Sequence, residues 1–495
     1  MTNDQLIEKL NNLMEFAYKV PDKTIKIIGV IINAKKKIKP KALGKLGSHI
    51  IYGKSYEDVL NKAIELLNKI RYLKTKETLK LLFTITEKFK GSSVSEAKKT
   101  MEYLSRYDFS VLKQIGYRPQ QVVLKFITNL KEKDIKNHFE DLLVVTSCIL
   151  KPSFEGTSMQ DYKTMTFHHG SLNANSRLIS IREEAISFLR KMYFITENSE
   201  IKIKIIETLE EATRRPDHGS YGDDVIKMIT DNTNTIIDFF IEIVDKADNI
   251  VVKKIEERKN WFLRWNQKES LPRIEELEAK IASKTDYLMF KTFVGHDYEF
   301  SKDTDWDKAK NQRLEKIKEF IILISASTLK EWEKKIIKVA SHYSTDKYGE
   351  FQYFNIFLFE LAKEKPEIVF EFLKLKKLSP FTVHMIAGLW KSTKKADLIL
   401  ILKKWIEKGE NLASISYLFS YVEEVDINLI EMIVLKAKKN KDYLSLTNIV
   451  DSITRNYGKD ARLKKILIEV IYELSCKLKN DRWLNHIWFK SEQIF

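Results

Sequence analysis

The sequence predicts an all-α protein, an irregular HEAT-like α-solenoid built from antiparallel helix pairs, and three observations predict it. Apolar residues recur at three- and four-residue steps along nearly the whole chain, the spacing of one helix face. Alternation with a period of two over a strand's length is rare. The 495 residues include only 15 glycines and 8 prolines, where average usage of the two together is about 12%. A chain so poor in turn formers cannot build many hairpins.

Taken in order, the elements justify that class. In "DVLNKAIELLNKIRYL" (58–73), Val59, Leu60, Ala63, Ile64, Leu67, Ile70 and Leu73 fall on one helix face. Similar stripes occur at 182–194, 201–214, 313–326, 328–343 and 461–478. Beyond residue 350 the helices shorten to about a dozen residues, as in "FNIFLFELAKEK" and "DINLIEMIVLKAKKN", punctuated by Pro366, Pro380, Gly409 and Asp426. Short helices joined by short turns stack as pairs, each burying its apolar face against a neighbour. Neither the tetratricopeptide nor the ankyrin signature recurs, so the array is degenerate.

The expected organisation is a basic helical domain at 1–150, a polar linker at 151–180, a HEAT-like domain at 181–345 and a short-helix repeat domain at 346–495. The linker, "KPSFEGTSMQDYKTMTFHHGSLNANSRLIS", is rich in Ser, Thr and Asn and reads as a long loop. Two shorter irregular stretches, 215–223 and 294–307, read as loops at the edges of the array.

With 44% hydrophobic residues the chain can bury a substantial core. Its two cysteines, Cys148 and Cys476, lie in apolar surroundings and read as buried free thiols, which fits a reducing cytoplasm. The amphipathic, acid-bearing N-terminus is no signal peptide. No run approaches the roughly 18 apolar residues that span a bilayer, so no membrane role is expected. The formal net charge of +16 is uneven: residues 1–150 hold 28 Lys and Arg against 16 Asp and Glu, whereas residues 151–390 are balanced at 38 against 39. A basic first third is either a solvated face or a surface for a polyanion such as nucleic acid.

One stretch invites a nucleotide. "GSHIIYGKS" (47–55) ends in the Gly-Lys-Ser of a phosphate-binding loop. The spacing is wrong: five residues separate Gly47 from Gly53, Ser48 stands where glycine is required, and His49, Ile50, Ile51 and Tyr52 are too bulky for a cradle of backbone N–H groups. The region is better read as a basic connector carrying Lys35, Lys36, Lys37, Lys39, Lys41, Lys45 and Lys54, the candidate nucleic-acid contacts. Adjacent His168 and His169 would point apart and lack further ligands at metal spacing, so no metal or other cofactor is expected. In "KNWFLRWNQKE" (259–269), Trp261, Arg264 and Trp265 combine aromatics with cations and are interaction candidates, although Trp261, Phe262 and Trp265 also form a packing stripe. His218 beside Asp217, and Arg215 beside Arg214 and Pro216, are candidates in the 215–223 turn.

The run from 182 to 320 carries a resemblance. The helix opened by Glu183, Glu184 and Ala185, the helix closed by "GSYG" (219–222), the aromatic helix end at 261–265 and the block from Phe293-Val294-Gly295 to Arg313 resemble the HEAT-like regions of large bacterial defence-associated signal-transducing NTPases. The resemblance covers under a third of the chain and involves framework positions. It implies a sensor or scaffold working with an ATPase or effector. With no obvious ATPase ahead of the helices, the resemblance implies either that the effector is a separately encoded protein, the expected partner, or that a nucleotide site is hidden in the N-terminal third. The function expected is a non-enzymatic scaffold or recognition subunit, with a role in antiphage defence implied by the resemblance. Two alternatives remain open at this stage: a nucleic-acid-binding protein using the lysine-rich third, and an enzyme with a site in the loops near 151–180 and 215–223.

Overall fold

The structure is a computed structural model; it describes residues 2–34, 39–40, 42–46, 49–159, 165–217, 221–297 and 305–488. Contacts divide the chain into two compact units, residues 1–284 and 285–495. Each is a two-row stack of helices, an irregular α-solenoid.

In the first unit one row consists of α1 (Asn3–Phe16), α3 (Tyr56–Ile70), α5 (Ser92–Ser105), α9 (Phe139–Leu150), α11 (Ser199–Glu210) and α13 (Asn249–Trp265). The other consists of α2 (Pro21–Ile32), α4 (Thr75–Lys88), α7 (Arg118–Thr128), α10 (Ser176–Ile195), α12 (Asp223–Ile243) and α14 (Ile274–Ser283). Each helix packs on the next in its own row and, from α2 onward, on a partner across the rows. Two short helices, α6 (Phe109–Ile115) and α8 (Glu132–Asn137), fill the turns. Row neighbours run parallel: Arg273 pairs with Asp238 at 2.8 Å and, one heptad on, Lys280 pairs with Asp245. The helix between them must therefore run antiparallel.

The second unit begins with α15 (Thr285–Phe293), α16 (Trp306–Leu323) and α17 (Leu329–Ala340). One row then follows through α18 (Gln352–Glu364), α20 (Thr382–Trp390), α22 (Leu412–Leu418), α24 (Tyr443–Arg455) and α26 (Leu484–Ile487), with α19 (Pro366–Phe372) between α18 and α20. The other row is α21 (Lys395–Lys408), α23 (Ile427–Asn440) and α25 (Ala461–Tyr472).

Local chemistry sets the boundaries. Ser55 caps α3 in a reciprocal box with Asp58, and Asn198, Asp248 and Asp426 cap α11, α13 and α23 through their side-chain oxygens. Pro366 is the first residue of α19, where its missing N–H costs nothing. Gly409 ends α21 with φ 81°, the left-handed conformation that glycine adopts without strain.

Several expectations are corrected. Residues 151–180 are not a loop: they contain an antiparallel hairpin, β3 (Ser153–Met159) with β4 (Met165–Ser171). They are not a linker between domains either, because α9 packs directly on α10 and α11 and the stack runs on without a break. The contact division falls at 284/285. The basic connector likewise holds a hairpin, β1 (Ala42–Leu46) with β2 (His49–Tyr52). Leu73 lies past the end of α3 and is 56% exposed, while its six stripe-mates are buried. Both cysteines are free, but only Cys148 is buried. Cys476 sits in a π-turn at Glu473–Lys477, whose wider winding turns Glu473 and Leu474 inward and Cys476 out.

Candidate functional site

Two lysines of the basic N-terminal segment can be placed. Lys39 and Lys54 are exposed. Lys45 lies on β1, and Lys35, Lys36, Lys37 and Lys41 fall outside the described residues. Gly53-Lys54-Ser55 does lead straight into α3, as a phosphate loop would lead into its helix. Its donors are already taken, however. The Lys54 N–H donates to Asp4 Oδ1 at 3.3 Å, and the Ser55 N–H and hydroxyl donate to Asp58 Oδ2 at 2.7 and 2.8 Å. Carboxylates of the protein stand where phosphate oxygens would, and β1 and β2 form an antiparallel hairpin in place of a parallel sheet. Hydrogen bonds from Ser55 hold the Asp58 carboxyl below the usual range, so it stays ionised.

The β3–β4 hairpin stands on α6. Phe109 stacks on Phe154 at 5.5 Å and on His168 at 4.1 Å, and His168 Nε2 shares a 2.7 Å hydrogen bond with Ser158 Oγ. Glycine makes this seat possible: a Cβ at Gly156 would lie 2.9 Å from Phe109 Cβ. Directly opposed residues share a face, so Glu155, paired with His169, and Thr157, paired with Phe167, lie together. That face is open, and Phe167 is 71% exposed.

Glu155 also lines a cleft of 290 Å³ at the root of the hairpin. Its walls come from three separate stretches: Glu102, Tyr103, Arg106 and Tyr107 at the end of α5, Cys148 and Lys151 at the end of α9, and Glu211, Arg214, Arg215 and Asp217 after α11. Beneath it Tyr107 donates to Ile149 O at 2.8 Å, and burial raises the phenol well above its ordinary pKa. Burial also pushes the Cys148 thiol up to about 11, so it stays protonated and is no nucleophile at neutral pH. Arg214 is taken up by Glu210 at 3.0 Å and Glu211 at 3.4 Å.

Arg215 joins this cleft to the aromatic candidates. It lines the cleft and donates to the carbonyl of Trp265 at 2.5 Å. Trp265 is 46% exposed and its ring lies 5.4 Å from that of Trp261, while Arg264 is exposed beside them. Of the expected packing stripe only Phe262 is fully buried, stacked on Phe240. Arg215, Trp261, Arg264 and Trp265 are thus brought together, whereas His218 lies outside the described residues. Sequence reading missed Arg106, Lys151 and Phe167. The one local cue was Glu102 and Arg106 at helical i,i+4 spacing, which reads as an ordinary surface pair.

A serine, an aspartate and a histidine also meet in the second unit, but in the wrong order for nucleophilic catalysis. Ser420 Oγ donates to Asp451 Oδ2 at 2.8 Å, and His486 Nδ1 is 3.4 Å from Asp451 Oδ1, so the carboxylate separates the hydroxyl from the imidazole. Among the described residues no group of three or more metal-ligating side chains occurs, and no helix is long and apolar enough to cross a membrane.

No family model matches the chain, and no curated protein matches it. Among solved structures it is similar to a "circular tandem repeat protein with novel repeat topology and enhanced subunit contact surfaces", 11% identical over 100% of this chain and 96% of that one, with a TM-score of 0.24.

Proposed function

We propose that this chain is a non-enzymatic recognition scaffold whose working surface runs from Trp261 and Trp265, across Arg215 and the charged cleft, to the hairpin face carrying Phe167. The observation that carries this reading is the continuity of that surface. Arg215 belongs to both the cleft and the tryptophan pair, and Glu155 belongs to both the cleft and the hairpin face. Exposed Trp, Phe and Arg around a polar depression have the composition of protein–protein hot spots. The partner is a protein, and the resemblance of residues 182–320 supports a separately encoded effector in a bacterial antiphage system.

The test uses the tagged full-length chain and the double variant Phe167→Asp/Trp265→Ala in pull-downs from uninfected and phage-infected cells. A stoichiometric partner captured by the wild type should be lost from the variant, with helix content unchanged by circular dichroism. Capture of that partner unaffected by both substitutions sinks the reading. The second reading, nucleic acid at the basic first third, rests on exposed Lys39 and Lys54 and the surplus of cations over residues 1–150. It requires an affinity for single- or double-stranded DNA that falls steeply with salt, and a flat response excludes it.

A further inference from the structure

Of the charges that face the cleft beside the hairpin, Arg214 pairs with Glu211 and Arg106 lies 4.0 Å from Glu155, while Lys151, Glu102 and Asp217 form no ion pair among the described residues. Glu102 and Arg106 lie one helical turn apart on α5 and its end, the spacing at which such residues normally form an ion pair. They do not form one. The Arg106 guanidinium instead lies over the Tyr103 ring at 4.6 Å, and its nearest carboxylate oxygen, on Glu155, is 4.0 Å away. Its Nε is closed to solvent and has no hydrogen-bond partner. Lys151 has no carboxylate within ion-pair distance among the described residues, and neither Glu102 nor Asp217 has a cation. The remaining cations are committed, Arg214 to Glu210 and Glu211 and Arg215 to the Trp265 carbonyl.

A donor shut away from water without an acceptor is unfavourable, and native proteins rarely leave one unmet. Lys151, Glu102 and Asp217 are exposed and hydrated, and each is open to a group of opposite charge. The Arg106 Nε is as far from a ligand as from water, but a ligand can set an acceptor against the open remainder of that guanidinium and a cation against the carboxylates. A ligand of one sign matches only half of these groups and meets repulsion from the rest. The volume, 290 Å³, is at the lower end for small-molecule sites. The neutral thiol and phenol of Cys148 and Tyr107 complete the wall.

We propose that this cleft binds a zwitterion of amino-acid or dipeptide size, its carboxylate on Arg106 and Lys151 and its cationic group on Glu102 and Asp217. The cleft lies within the surface assigned above to a protein partner, but the zwitterion is tested at Arg106 and Asp217 and the partner at Phe167 and Trp265, so each reading can fail without the other.

The experiment measures thermal shift and isothermal titration of the full chain with L-glutamine, L-arginine and glycylglycine, and with succinate and 1,4-diaminobutane as single-sign controls. At least one zwitterion should give a saturable, one-site response, with succinate and diaminobutane at least tenfold weaker. Arg106→Gln and Asp217→Asn should each weaken that response tenfold or more. Arg106 is half-buried and Asp217 exposed, and the apo melting temperature of each variant reports whether the fold is intact. The proposal is overturned if no zwitterion saturates, if a single-sign control binds as tightly, or if binding survives both substitutions in a folded protein.

Discussion

Arg182 is fully buried in the first unit, yet among the described residues it forms no ion pair. Its guanidinium donates to the carbonyls of Leu150 and Ala212, the latter at 2.8 Å, and, with the Asn232 amide assigned so that its oxygen faces the arginine, to that oxygen at 2.9 Å from Nε. The carbonyls belong to the ends of α9 and of the turn after α11, where the helix dipole is negative and backbone oxygens lack intrahelical partners. Burial lowers the guanidinium pKa to about 10, which still leaves it charged. Arg182→Met keeps the volume but orphans three buried acceptors, so urea unfolding should show a loss of about 3 kcal/mol. His384 is the opposite case, a buried imidazole set against Tyr421 at 5.3 Å. Desolvation pulls its pKa down to about 4, so the folded state holds it neutral while the unfolded chain protonates it near 6.5. Between those values the unfolded state binds more protons, and stability falls as pH drops through this window. Going from pH 8 to pH 5 should remove about 2 kcal/mol through this residue, a loss that His384→Gln should abolish in denaturant titrations at the two pH values.

At the scale of elements, cations ending other helices repeat the arginine's device. Lys365 Nζ donates to the carbonyls of Ile321, Ile322 and Ile324 at the end of α16, and Lys284 does the same for Val244, Asp245 and Ala247 after α12. Helix crossings depend on small residues instead. A Cβ at Gly388 would lie 2.2 Å from Phe359 O and 2.6 Å from Ala362 Cβ, so α18 and α20 can touch only because that side chain is missing. Gly388→Ala should therefore destabilise the second unit by about 1–3 kcal/mol despite the better helix propensity of alanine, as thermal unfolding would register. The helices were legible because their punctuation is local: Pro366, Gly409 and Asp426 each sit at a helix end. The β3–β4 hairpin was not, because its strands carry Gly156 and Gly170 where close packing on aromatic rings demands them, and these residues read as loop formers. The cleft was only glimpsed through Arg215, since Arg106 and Lys151 reach it from stretches far apart in sequence.

Across the whole molecule, stability is divided among neighbours. Each helix touches the next in its row and its partner, so a local defect propagates only as far as those contacts couple it. Hydrogen exchange of Gly388→Ala should accordingly rise most in α18, α20 and α22 and least in α1 to α4; a uniform rise over all 495 residues would show a single cooperative block. The ties that hold successive layers are short in sequence. Lys395 reaches Glu424 across 29 residues, Lys438 reaches Glu469 across 31, Arg273 reaches Asp238 across 35, and Ser452 reaches the Ser416 carbonyl across 36. A chain whose contacts close over such distances has low contact order, which favours fast folding. Synthesis delivers roughly 5–20 residues per second, so each layer is complete seconds after it leaves the ribosome, and its partners are the layers that emerged just before it. Each unit can then grow as its own stack grows, exposing one unfinished apolar face at a time.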